Sequence, residues 1–180
     1  MLKPQDYVIL LKYLANPEQS WSQRDLSQML NIGLSEVNAG IKRLSEAQLI
    51  RKDRDSNIIP IIPAAKEILI YGLKYQFPGK LGGFTRGIPT GAAAPLFKDK
   101  IAMGNDPVSI WPYARGEVQG VALDPIHPSI PKSLHDYPDE NLYNLLALVD
   151  TIRIGRPRER NMAIKMLVER LEPCKPRAKN

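Results

Sequence analysis

The sequence predicts a mainly helical α+β protein with small β elements, and three observations predict it. Apolar residues recur at helical spacing through residues 1–77 and again through 139–172. Between them, residues 78–138 hold 9 of the 16 prolines and 8 of the 12 glycines, a composition of turns and short strands. Short apolar runs at Leu49–Lys52, Ile58–Ile62 and Val118–Leu123 supply the strands. The chain of 180 residues therefore divides into an N-terminal unit (1–77), a Pro/Gly-rich ordered segment (78–138), a C-terminal helical pair (139–172) and a polar tail (173–180).

The first helix opens at Pro4-Gln5-Asp6, where proline suits an N-terminal turn, carries Tyr7, Val8, Leu11 and Leu14 on its apolar face, and ends at Asn16-Pro17. Ser22 is an N-cap for the second helix, with Asp25 three residues on as the capping-box acid. Leu26, Met29 and Leu30 form its apolar face. Asn31-Ile32-Gly33 breaks it, with Gly33 expected to take the left-handed turn. Ser35 is expected to cap the third helix, whose buried face reads as Val37, Ile41 and Leu44. A strand over Leu49–Lys52, a turn over Asp53–Asn57 and a strand over Ile58–Ile62 follow, Pro60 confining the second strand to an edge. Pro63 opens a fourth helix to about Tyr75.

In the middle segment, Thr90 to Lys100 is expected to hold a short helix and Val118–Leu123 a strand. Pro125, Pro128 and Pro131 read as loop. Phe97 and Trp111 indicate order rather than a flexible linker. The last helices are Glu140–Ile154 and Pro157–Leu171, separated by Gly155.

Composition narrows the chemistry. Cys174 is the single cysteine, so an intramolecular disulfide and a cysteine-rich metal site are excluded, and with only His127 and His135 present a His-based site has little to work with. Neither paired carboxylates, nor a nucleophile elbow, nor metal-ligand spacing occurs, so no catalytic residues, metal or cofactor are expected and the chain reads as a non-enzyme. Lys80–Gly87 lacks the Gly-Lys-Ser/Thr ending of a phosphate loop; it reads as a structural loop or, beside Phe77 and Phe84, as a stacking surface for single strands. No apolar run approaches the ~18–20 residues of a membrane span, and the N-terminus lacks a signal-peptide pattern, which points to a cytoplasmic protein without a membrane partner. Net charge is +6, carried by the ends: 10 Lys/Arg against 8 Asp/Glu in 1–77, and 9 against 6 in 139–180. That balance favours polyanions.

Helix, tight turn, helix and hairpin is the order that presents a helix to the major groove of DNA. With Val37, Ile41 and Leu44 inward, the third helix exposes Ser35, Glu36, Asn38, Ala39, Lys42 and Arg43. Asn38 has the chemistry for an adenine edge, Arg43 and Lys42 for guanine or phosphate. Ser22, Gln23 and Arg24 begin a helix, a natural phosphate site, and Arg51, Lys52 and Arg54 sit on the hairpin where they would track the backbone.

The run Trp21-Ser22-Gln23-Arg24-Asp25-Leu26-Ser27-Gln28-Met29-Leu30, with Gly33-Leu34-Ser35-Glu36-Val37, Lys42-Arg43-Leu44 and the strand Leu49-Ile50-Arg51-Lys52, resembles the winged helix-turn-helix domain of MarR-like bacterial regulators. More loosely, the whole layout resembles winged-helix antitoxin-type proteins that accompany nucleotidyltransferase toxins. The resemblance implies sequence-specific binding of double-stranded DNA by a dimeric transcriptional repressor. A winged helix also serves as a scaffold for a protein partner, such as a toxin, so an antitoxin or assembly subunit is the alternative.

Two features at the C-terminal end read either way. Gly155-Arg156-Pro157-Arg158, with Arg153 and Arg160, matches the core of a minor-groove hook or a junction between helices whose arginines pair with Asp150 and Glu159. The stripes Leu142, Leu145, Leu146, Val149, Ile152 and Ile164, Leu167, Val168, Leu171 serve either to pack on the middle segment or to form a homodimer through the C-terminal helices.

Overall fold

The computed structural model describes residues 1–172 and is an α+β structure with two small sheets. The expected polar tail with Cys174 lies outside the described residues. Three helices come first: α1 (Pro4–Ala15), α2 (Gln23–Leu30) and α3 (Leu34–Glu46). The start of α2 is set by a reciprocal box, the Ser22 hydroxyl accepting from the Asp25 amide at 3.0 Å while the Asp25 carboxylate accepts from the Ser22 amide at 3.0 Å. At its end the left-handed residue is Asn31 (φ 51°), not Gly33, which instead stands as the N-cap of α3 at φ −55°. The expected cap Ser35 therefore lies inside the first turn of α3. Asparagine tolerates the left-handed region because its short polar side chain bonds locally.

The buried face of α3 is Val37, Gly40 and Leu44, with Ile41 only half-buried. Val37 and Leu44 are buried as expected, Ile41 packs on the core from the flank, and Gly40 is the position the spacing does not predict. A Cβ at Gly40 would lie 2.8 Å from Asp6 Oδ1 and 2.9 Å from Ile9 Cδ1, so the missing side chain is what lets α3 settle on α1.

Strands β1 (Ile50–Lys52) and β2 (Ile58–Pro60) pair antiparallel, Arg51 opposite Ile59. Their turn is closed by the Asp53 carboxylate, which accepts from the amides of Asp55 and Asn57, both at 2.9 Å. The expected fourth helix is present in three parts: α4 (Ile62–Glu67), a π turn (Ile68–Gly72) and α5 (Leu73–Gln76).

The middle segment is more regular than its composition suggests. Strand β3 (Leu81–Pro89) occupies the run expected as a loop, pairing antiparallel with both β4 (Ser109–Pro112) and β5 (Val118–Leu123), while β4 and β5 run parallel. The Gly82-Gly83 register shift and the absence of a side chain at Gly87, whose Cβ would lie 1.9 Å from the Trp111 carbonyl oxygen, explain glycines in a strand. Two 3₁₀ turns, Gly91–Ala93 and Pro95–Phe97, replace the expected short helix. Helix α6 (Ile130–Asp136) forms where prolines suggested loop, Pro131 sitting in its first turn.

Helices α7 (Glu140–Ile154) and α8 (Pro157–Leu171) match their expected bounds. One hydrophobic cluster runs from Tyr7 to Leu171. Both α1 and α7 lie inside it and are buried around their circumference. The Leu142–Ile152 stripe is thus used within one chain, and α7 has no face left for a second subunit. Asp150 anchors the layers: its carboxylate accepts from Thr90 Oγ1 (2.8 Å), Trp111 Nε1 (2.7 Å) and Arg153 Nη1 (2.6 Å). Burial pushes this carboxyl up, opposed by Arg153 and the two neutral donors. Arg153 Nε in turn donates to the Phe77 carbonyl at 2.8 Å.

Candidate functional site

Helix α3 presents Ser35, Asn38, Lys42 and Ser45 to solvent, opposite Val37, Gly40 and Leu44. The β1–β2 hairpin folds back beside it because Ile61 donates its amide to Leu49 and the strands follow α3 after only three residues. Between helix and hairpin lies a groove of about 390 Å³. It brings together Gln23 from the start of α2, Asn38 and Lys42 from α3, and Arg51 and Lys52 from β1. Ile41, Ser45, Ile50 and Ile58 complete its walls with Glu46. Ile41 is not named as a groove residue by the sequence reading because its spacing from Val37 and Leu44 assigns it to the core; half-buried, it packs against the core and also lines the groove.

The other expected site residues stand apart from that groove. Ser22 is exposed, and its hydroxyl also donates to Asp25 at 2.7 Å; the hydrogen bonds from Ser22 hold the Asp25 carboxyl below its usual range. Arg24 and Arg54 are exposed and make no ion pair among the described residues. Ser35 is exposed, and Ala39 is half-buried. Glu36 accepts from Gln5 Nε2 at 2.6 Å, which ties its charge to α1.

Arg43 departs most from expectation. Its guanidinium is turned inward on α1, Nε donating to Asp6 Oδ2 at 2.7 Å and Nη2 to Asp6 Oδ1 at 2.8 Å. Asp6 is fully buried, and the hydrogen bonds to it raise the Arg43 pKa above its ordinary value. Arg43 is an anchor between helices, not a free side chain on the reading face. Lys42 keeps its solvent exposure.

Gln23 and Asn38 are joined: Asn38 Nδ2 donates to Gln23 Oε1 at 3.0 Å. No periodicity in the sequence shows that bond; it joins the first residue of α2 to the exposed face of α3.

At the C-terminal end, Gly155-Arg156-Pro157-Arg158 is a junction between helices. Arg156 Nη2 pairs with Asp106 at 3.0 Å, Arg153 is buried on Asp150, and Arg160 Nε donates to the Ile152 carbonyl at 3.1 Å. Only Arg158 of the four points freely into the open grooves beside α8. Among the described residues no group of His, Cys, Asp and Glu is arranged to hold a metal, and no helix is long and apolar enough to cross a membrane. No protein-family model matches the chain, and neither a curated protein nor a solved structure shows significant similarity to it.

Proposed function

We propose that α1–α3 with the β1–β2 hairpin form a winged helix-turn-helix, and that the chain binds duplex DNA sequence-specifically as a bacterial-type transcriptional repressor. The observation that carries this reading is the single groove collecting Gln23, Asn38, Lys42, Arg51 and Lys52. An exposed helix face beside a cationic hairpin matches the major groove and its flanking phosphates in shape and charge. Lys42, Arg51 and Lys52 meet phosphate oxygens; Ser35 and Asn38 approach base edges. Two copies would meet two half-sites. Since α7 is enclosed, the contacts between copies fall on α8, along the flank where Ile164 and Val168 pack against the core and stay half-buried.

Gel-shift titration of the full chain against fragments of its own upstream DNA, over a range of salt, tests the function. Retention with log K falling linearly in log salt, by about 0.9 per phosphate contact, is the expected result. Tyr71, Tyr75, Leu81 and Phe84 are large side chains standing in solvent, and they favour a second reading, a module that docks a protein partner. Failure to retain any duplex at low salt would shift the function to that reading.

A further inference from the structure

The Asn38 side chain sits midway along the exposed face of α3 and is already oriented by Gln23. A primary amide carries two N–H donors and one carbonyl acceptor. The bond to Gln23 uses one hydrogen and leaves Oδ1 with the second hydrogen. Adenine presents the complement in the major groove, an N6 donor beside an N7 acceptor. Guanine presents two acceptors, N7 and O6, which suit a guanidinium fork instead. The arginine of this helix cannot supply that fork, because both oxygens of buried Asp6 hold Arg43 at 2.7 and 2.8 Å.

We propose that Asn38 reads an adenine base, that Gln23 is the positioning residue that holds its amide ready, and that Asp6 withdraws Arg43 from base readout. The inference rests on the duplex-DNA reading above and adds the base and the pair that selects it. An exposed asparagine without a partner samples several rotamers and gives up that freedom on binding. The Gln23 bond removes part of this cost before DNA arrives. Lys42, one turn further along and lining the groove with Arg51 and Lys52, belongs with the phosphate contacts.

The full chain is used to select from a randomised duplex pool. The tightest duplex recovered is rebuilt with 7-deazaadenine at each adenine in turn. This base keeps its Watson–Crick pairing and loses only the N7 acceptor. At one position per half-site the wild type is expected to lose affinity about ten-fold, in line with a bidentate contact, and Asn38→Ala less than about two-fold. Gln23→Met keeps the chain length and removes the acceptor. It is expected to reduce the discrimination to about three-fold without changing melting. Gln23→Glu keeps the acceptor and should restore the ratio, whatever it does to overall affinity. Equal affinity for adenine and 7-deazaadenine at every position of a selected duplex overturns the inference and leaves DNA binding intact. So does discrimination that survives Asn38→Ala. If no duplex is selected, DNA binding itself fails, and the inference with it.

Discussion

Arg43 of α3 meets Asp6 of α1 edge to edge, two nitrogens on two oxygens at 2.7 and 2.8 Å, with the carboxylate fully buried. Asp6 also accepts from the Lys3 amide at 2.7 Å, so one carboxylate holds the start of α1 and the last turn of α3. Removing the guanidinium leaves a buried charge without its partner. Arg43→Ala is expected to cost about 3 kcal/mol of stability, because breaking a buried pair from one side is strongly unfavourable. Arg43→Lys recovers part of this, since an ammonium cannot reproduce the fork. Urea unfolding midpoints of the three proteins check it. An Arg43→Ala chain as stable as wild type would show that the pair does not hold α1 to α3.

Lys42 precedes Arg43 and behaves in the opposite way. It is exposed and outside any ion pair among the described residues, as are Arg51 and Lys52. Each substitution to alanine should leave the melting temperature unchanged and weaken all duplexes alike, reducing the salt slope by about 1. Salt-dependent titrations of the three variants measure this. A variant that changes base preference instead would reassign that residue to base readout.

The contrast between these neighbours marks how far the sequence could be read. Helix order, the hairpin and both C-terminal helices were legible from periodicity, caps and breakers, because those signals are local. The close contact at Gly40 was not: Val37, Ile41 and Leu44 fit an apolar stripe, yet α3 also settles on α1 through Gly40, which carries no hydrophobic signal. Strand β3 was hidden for a related reason, since Gly87, needed for close backbone approach, and Gly82-Gly83, at the register shift, read as loop. Within the candidate site, Asn38 and Lys42 followed from helix spacing. The turning of Arg43 away from the exposed face depended on Asp6, 37 residues away, a pairing that spacing does not show.

Gly40 therefore provides a sharp test of the packing. A methyl there would sit 2.8 Å from Asp6 Oδ1 and 2.9 Å from Ile9 Cδ1, against a buried carboxylate that cannot easily move. Gly40→Ala is expected to destabilise by about 1–3 kcal/mol despite the better helix propensity of alanine. Ile41→Ala, at the half-buried position beside it, should cost less. Thermal melts of the two variants decide which position holds α3 on α1; the reverse order would assign that role to Ile41.

Asp139 ties the N-terminal helices to α7. Its carboxylate accepts from Lys12 Nζ at 2.7 Å, Asn16 Nδ2 at 2.8 Å and the Leu142 amide at 3.0 Å. Burial alone would raise this carboxyl, but the bonds from Lys12, Leu142 and Asn16 outweigh it and hold it below the usual carboxylate range. A lowered folded-state pKa contributes stability above the unfolded value, roughly 3.9, and that contribution is lost as pH falls through the folded value. Asp139→Asn keeps an N-cap oxygen and leaves the buried Lys12 unpaired. It should be less stable than wild type at neutral pH by about 3 kcal/mol. The gap should close on acidification below the usual carboxylate range. Urea midpoints of both proteins across that pH range test the sign, and a gap that widens toward acid would refute the pairing.

The same junction determines what happens when the C-terminal helices are removed. Composition alone suggests that cutting before Asp139 would release a folded N-terminal unit. The packing argues otherwise. Helix α1 is buried on every side, and part of its cover is α7, with Leu142, Leu145, Leu146 and Val149 in the same cluster as Tyr7, Leu10 and Leu14. A chain ending at Pro138 would expose that face of α1, leave Lys12 without Asp139, and free Thr90 and Trp111 from Asp150. Exposing several large side chains at roughly 1.5–3 kcal/mol each is comparable to the ~5–15 kcal/mol that a domain has in total. The truncated chain is expected to lack a cooperative melt by circular dichroism, whereas the full chain should melt cooperatively. A cooperative transition in residues 1–138 would show that the N-terminal helices form an independent unit and that α7 only docks against them.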